Sequence, residues 1–157
     1  MDDFDDIRAQ LRGDHVATLA ELDALRGAVD GPGARARLQK LRRAWVTHAL
    51  AEETVVYRTL DGVQVTSSPS DASMRFVEHR RADRHFEKVL HHRAGTRDWI
   101  DALDALRDFI ARHVAAEQED TFMRLAGRFD RRGLCEMGRR FQLARTKLRM
   151  LEDAKAA

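Results

Sequence analysis

Two stretches of this 157-residue chain repeat one short arrangement, His48-Ala-Leu-Ala-Glu52 and His113-Val-Ala-Ala-Glu117. Residues four apart on a helix stand one above the other, so each HxxxE pair aims an imidazole and a carboxylate at the same point. Two further helix-length segments each place one histidine, His15 and His79, where the apolar repeat calls for a core residue. Histidines and carboxylates projecting inward from several helices are how a helical bundle assembles a two-metal site. The carboxylates make the stronger case, because Asp and Glu are almost never fully buried unless paired or bound to a cation. Glu52, Glu117 and Asp83 each follow a seam histidine by four residues and therefore need a metal or a dense hydrogen-bond network.

The elements that must hold these groups are set by the breakers. Asp30-Gly31-Pro32-Gly33 makes the first turn, with Pro32 placed to start a helix. Asp61 to Ser67 is the long connection, and Ser68-Pro69-Ser70-Asp71 reads as a capped helix start. Further breaks fall at Arg93 to Thr96 and Gly127 to Gly133. Five helices follow, at about 3–27, 33–60, 69–92, 97–126 and 134–155. Their apolar seams run through Leu11, His15, Leu19 and Leu22; Trp45, His48, Glu52, Val55 and Thr59; Phe76, His79, Asp83 and Phe86; and Leu106, Ile110, His113, Glu117 and Asp120. Steps of three and four throughout are the signature of bundle packing. In an up-down-up-down bundle rising about 1.5 Å per residue, His15, His48, Glu52, His79, His113 and Glu117 all fall within about one turn of a common level.

Composition bounds the rest. A chain of 157 residues, 43% hydrophobic and 34% charged with nine Gly and two Pro, fits one helical domain with an ample core. The fold class expected is all-α: a four-helix bundle over about 3–126 with an accessory amphipathic helix over about 134–155. A net charge of +2 argues against a nucleic-acid partner, and no apolar run reaches membrane-spanning length. The start, Met-Asp-Asp-Phe-Asp-Asp, has no apolar leader, and Cys135 cannot form an internal disulfide, so the cytoplasm is the expected compartment.

Taken together, Asp14-His15, His48-x-x-x-Glu52-Glu53, Glu78-His79 and His113-x-x-x-Glu117-x-Glu119 make a specific pattern. It resembles the hemerythrin-like proteins, the family of HHE cation-binding domains, over residues 1–126. The resemblance implies that His15, His48, Glu52, His79, His113 and Glu117 bind two non-haem irons, oxo- or hydroxo-bridged, with the two glutamates spanning them. Two departures from the oxygen-carrying members matter: their HxxxH in the third helix has Asp83 at its second position here, and their HxxxxD in the fourth meets Gln118. Such a site is richer in carboxylate, and hard anionic donors favour ferric iron. Durable oxygen carriage recedes, and reaction with or sensing of a small oxidant (peroxide, O2 or NO), including catalase-like peroxide disproportionation, comes forward. The alternatives are a non-enzymatic iron sensor, an iron- or O2-binding protein, and a purely structural interaction module. His and carboxylate donors also suit zinc and manganese. Asp83 has two readings, as an additional ligand or as a partner to a ligating imidazole.

The remaining polar residues carry less. His85, His91 and His92 lie off the seam, Glu53, Glu119 and Asp120 are surface groups or partners to ligands, and Tyr57 is off the seam. Trp45, Ile110, Leu11, Phe76 and Phe86 flank the polar layer and would keep the pocket dry. In the fifth helix Leu134, Met137, Phe141, Ala144, Leu148 and Leu151 form an apolar face, with Arg139, Arg140, Arg145, Lys147 and Arg149 around the polar one. That helix is expected to pack across the bundle, with homodimerisation or docking of a protein partner as its other use.

Overall fold

The computed structural model describes residues 6–28, 31–61 and 71–156, and these are helical with no strand among them. Helix α1 (Ile7–Arg26) starts at Asp6, whose carboxylate accepts from the Arg8 N–H at 2.8 Å and so satisfies one of the free donors of the first turn. Helix α2 (Gly31–Glu52) passes without interruption into a π-helical turn (Glu53–Tyr57) and one more α-turn, α3 (Arg58–Asp61). Helix α4 (Asp71–His91) is followed by Gly95 at φ 82°, a backbone conformation glycine adopts freely, and Thr96 then caps α5 (Arg97–Glu119). Asp120 separates α5 from α6 (Thr121–Arg128), and α7 (Arg131–Ala156) closes the chain.

Helix α1 packs on α2 and α5, α4 packs on α2 and α5, and the four thereby close a ring; α7 lies against α1, α2 and the π turn. The core is in two parts. Leu22, Leu25, Leu38, Trp45, Phe86, Trp99, Leu103 and Ile110 fill one, and Ile7, Leu11, Val56, Tyr57, Phe122, Leu134 and Phe141 fill the other. Buried polar groups lie between them, which is where a low dielectric strengthens any charge interaction. None of the helices among the described residues is long and apolar enough to cross a membrane.

Three boundaries differ from the sequence expectation. The helix expected over about 97–126 breaks at Asp120, and the last helix starts at Arg131 instead of about 134. The π turn takes in one extra residue after Glu52, so burial passes to Val55, Val56, Tyr57 and Leu60 while Thr59 stays half-exposed. The Asp61 to Ser67 connection and the Ser68-Pro69 start lie, from residue 62 to residue 70, outside the described residues, as does Asp30 of the first turn.

Candidate metal centre

The polar layer is built by pairs. His15 of α1 and His48 of α2 stand with ring centroids 4.9 Å apart at 66°, and His79 of α4 and His113 of α5 repeat that arrangement at 4.9 Å and 66°. Glu52 reaches one histidine of each pair, His79 Nε2 at 3.3 Å and His48 Nε2 at 3.7 Å. Glu117 does the same, with His15 Nε2 at 3.3 Å and His113 Nε2 at 3.7 Å. All six side chains are buried, both glutamates completely.

The outward nitrogens fix the ring orientations. His48 Nδ1 meets Asp14 at 2.9 Å, His79 Nδ1 meets Glu53 at 2.9 Å and His113 Nδ1 meets Glu78 at 3.0 Å. A carboxylate on one ring nitrogen leaves the other, Nε2, to serve as donor to a cation. Arg145 of α7 holds Asp14 at 2.9 Å and Arg75 holds Glu78 at 2.9 Å, so two of these carboxylates are themselves pinned.

As an interior of protein alone, this layer is poorly satisfied. Both oxygens of Glu52 and of Glu117, together with His79 Nε2 and His113 Nε2, are buried without a hydrogen-bond partner. Burial and then the charge of Glu52 push Glu117 well above the usual carboxylate range. Burial also opposes ionisation of Glu52, but the adjacent Glu117 and His79 outweigh it and hold Glu52 well below that range. Burial works against protonation of His79, yet Glu52 and Glu53 raise it to about 9, whereas burial and the neighbouring His48 take His15 down to about 3. His113, in turn, sets Glu78 at about 2, with Arg75 adding to the effect. A cation between the carboxylates would relieve the conflict, because two adjacent buried acids cannot both ionise without one. The donor atoms of His15, His113 and Glu117, and those of Glu52, His79 and His113, lie close enough together to hold metal ions.

Asp83 does not join this cluster. Arg42 stands opposite it on α2 and takes both its oxygens, at 2.6 and 2.9 Å, so the expected place beside a metal or an imidazole is replaced by an ion pair near the surface. Asp83 lines a cleft of about 130 Å³ between α2 and α4 that also touches Trp45, Glu53 and His79. His85 lies against Phe109, and His91 and His92 sit at the end of α4 and just beyond it. Glu119 is exposed and Asp120 half-buried, without reaching the centre.

Four contributors had no role at the centre assigned on sequence alone. Asp14 and Glu78 immediately precede His15 and His79, and that step turns them toward the neighbouring helix and its histidine; their position next to a seam histidine was the available signal. Tyr57 was placed off the seam, yet it is buried, stacks on His79 at 5.9 Å and carries a hydroxyl without a partner. An α-helix would rotate position 57 about 140° away from Glu52. The π turn returns it to the same face. Arg145, expected on a solvated face of the last helix, is mostly buried on Asp14 beside Phe141, whose ring meets His48 at 5.8 Å.

The family model for the hemerythrin HHE cation-binding domain matches residues 6–125. The chain belongs to the hemerythrin HHE cation-binding family, and His15, His48, Glu52, His79, His113 and Glu117 all lie within the matched span. Helix α7, with Phe141 and Arg145, lies beyond it. No curated protein and no solved structure matches the chain.

Proposed function

We propose that this chain is a non-haem di-iron protein whose centre reacts with or senses a small oxidant such as peroxide, O2 or NO. The observation that carries the reading is the crossed arrangement of the glutamates, each touching one histidine of either pair, as two bridging carboxylates require. His15 and His48 would hold one iron, His79 and His113 the other, with Glu52 and Glu117 spanning both. Two adjacent irons supply two-electron redox chemistry toward a small oxidant. The chain's own residues confine and admit that oxidant. Trp45, Ile110 and Phe141 keep bulk water from the layer, the cleft between α2 and α4 is roomy enough for a diatomic or a peroxide, and the Tyr57 hydroxyl can donate to a carboxylate or an entering ligand.

The pairings also support an up-down-up-down bundle. Along α1 and α5 the partners are Arg26 with Asp104, Asp23 with Arg107 and His15 with Glu117, numbers falling on one helix as they rise on the other. Along α2 and α4 the Leu90 carbonyl, Asp83 and His79 meet Arg35, Arg42 and Glu53 in the same opposed sense. Sharing of the second core cluster by α1, the π turn and α7 supports a single domain with α7 as its accessory helix.

A second reading, a non-enzymatic iron sensor, is favoured by the chain of contacts from His48 through Asp14 to Arg145, which ties the centre to α7. Anaerobic loading with ferrous iron, oxidation in air, metal analysis and a visible spectrum test both readings. Two irons per chain with an oxo-to-ferric charge-transfer band are expected, and stoichiometric zinc without colour would sink the redox reading. Steady oxygen evolution from peroxide selects the enzyme, and iron-dependent partner binding without turnover selects the sensor.

A further inference from the structure

The centre has an internal twofold likeness. His15 with His48xxxGlu52 corresponds to His79 with His113xxxGlu117, and the ring distances, ring angles and glutamate contacts agree between the halves. The likeness extends outward, since Asp14 and Glu78 precede corresponding histidines, each takes the Nδ1 of a histidine on the next helix, and each is held by an arginine. Both helices that carry an HxxxE pair are also interrupted shortly after their glutamates, by the π turn after Glu52 and by the break at Asp120 after Glu117.

Among the hydrogen-bond partners of the four histidines' outer nitrogens, the likeness fails at one pair of positions. Glu53 follows Glu52 and bonds His79 Nδ1 at 2.9 Å. The residue that follows Glu117 is Gln118, which is exposed, and the histidine it would serve, His15, has a buried Nδ1 without any hydrogen-bond partner. A carboxylate on the outer nitrogen makes an imidazole a stronger donor and locks its ring, and losing such a partner typically costs about 10- to 100-fold in metal affinity. The arginine-held carboxylates on His48 and His113 are equivalent and cancel in the comparison. Glu53 does not.

We propose that the two metal positions are unequal, with the His79/His113 position, buttressed by Glu53, filling before the His15/His48 position, where Gln118 stands in the corresponding place. The inequality rests on the two-metal reading above. It makes Glu53 a positioning residue and gives the chain a one-metal state with the ion at a defined position, where a symmetric centre would divide it between the two. The cleft between α2 and α4 touches both Glu53 and His79, so the position filled first also borders an opening.

The test is a titration of the metal-stripped chain with Co2+, followed by absorption and calorimetry, with crystals grown at one equivalent and measured for anomalous scattering. Two steps separated by about 10- to 100-fold are expected. Anomalous density should lie beside His79 and His113. Glu53→Gln should weaken the first step by a similar factor and draw the two steps together, while unfolding of the apo variant shows that it folds. One unresolved step binding two equivalents, density divided evenly at one equivalent, or unchanged steps in Glu53→Gln would overturn the inequality. Failure to bind cobalt at all would instead overturn the metal-centre reading beneath it.

Discussion

Glu117→Gln should move stability in opposite directions with and without metal. In the metal-free chain Glu117 is completely buried, lies beside Glu52 and is held protonated above the usual carboxylate range by burial and by that neighbour's charge. An acid whose folded pKa is raised binds a proton that the unfolded chain would release, so it costs stability above its unfolded pKa of about 4.3 and costs nothing well below it. Glutamine keeps the shape without that cost. Each pH unit above about 4.3 at which the acid stays protonated costs about 1.4 kcal/mol, so the gain at about pH 7.5 is bounded at about 4 kcal/mol, a rise in Tm of at most roughly 8–16 °C in a chain of this length. The gain over wild type should open as pH rises from about 4.3 toward neutrality and close in acid. With metal present the sign reverses, because the variant lacks a bridging anion; affinity should fall by at least about 100-fold, the upper end of what even an outer partner costs. Thermal unfolding by circular dichroism at about pH 4 and about pH 7.5, on stripped and loaded protein, resolves all four states. A stripped variant no more stable than wild type at the higher pH would refute the charge argument. Full metal occupancy at unchanged affinity would refute the bridging role.

Phe141→Ala should destabilise the fold by about 3–5 kcal/mol in chemical denaturation, because its ring is fully buried against His48 in the second core cluster; a loss below about 1 kcal/mol would mean that α7 is a loose appendage. Asp83→His should leave metal content and visible spectrum unchanged and alter stability by no more than about 1 kcal/mol, since it breaks only the half-exposed pair with Arg42. A shifted spectrum would return Asp83 to the centre. Tyr57→Phe should keep the stripped chain within about 1 kcal/mol of wild type, because the hydroxyl it removes has no partner; a larger loss would reveal a hydrogen bond to Glu52. Asp6→Ala should cost about 1 kcal/mol by removing the α1 cap. Since Arg8 helps hold the Asp6 carboxyl below its ordinary value, that cost should be present near neutrality and shrink as pH falls below about 4, as a denaturation series in acid would record.

The helical class, the approximate helix positions, the burial of His15, His48, Glu52, His79, His113 and Glu117 and their common level were legible in the sequence. They follow from a local rule: a 3.6-residue period places every third or fourth residue on one face, and a buried acid calls for a cation or a dense hydrogen-bond network. What the period could not reach was decided by neighbours. Asp83 occupies a seam position, but the residue facing it across α2 is Arg42, and only packing brings that guanidinium within 2.6 Å. Asp14, Glu78 and Glu53 became partners of the histidines because each points across a helix interface, a relation invisible to spacing within one helix. Arg145 sits 131 residues from Asp14, and the ion pair exists because α7 folds back over α1 and α2. Tyr57 shows the limit most directly. The sequence from Glu52 to Tyr57 contains no glycine or proline to announce a change of helix type, and a single extra residue in the π turn moved its ring from the expected outer face onto His79. Residue types and their local period therefore determined which chemistry this protein carries, whereas the tertiary structure decided which groups brace it, because bracing depends on contacts between segments far apart in the chain.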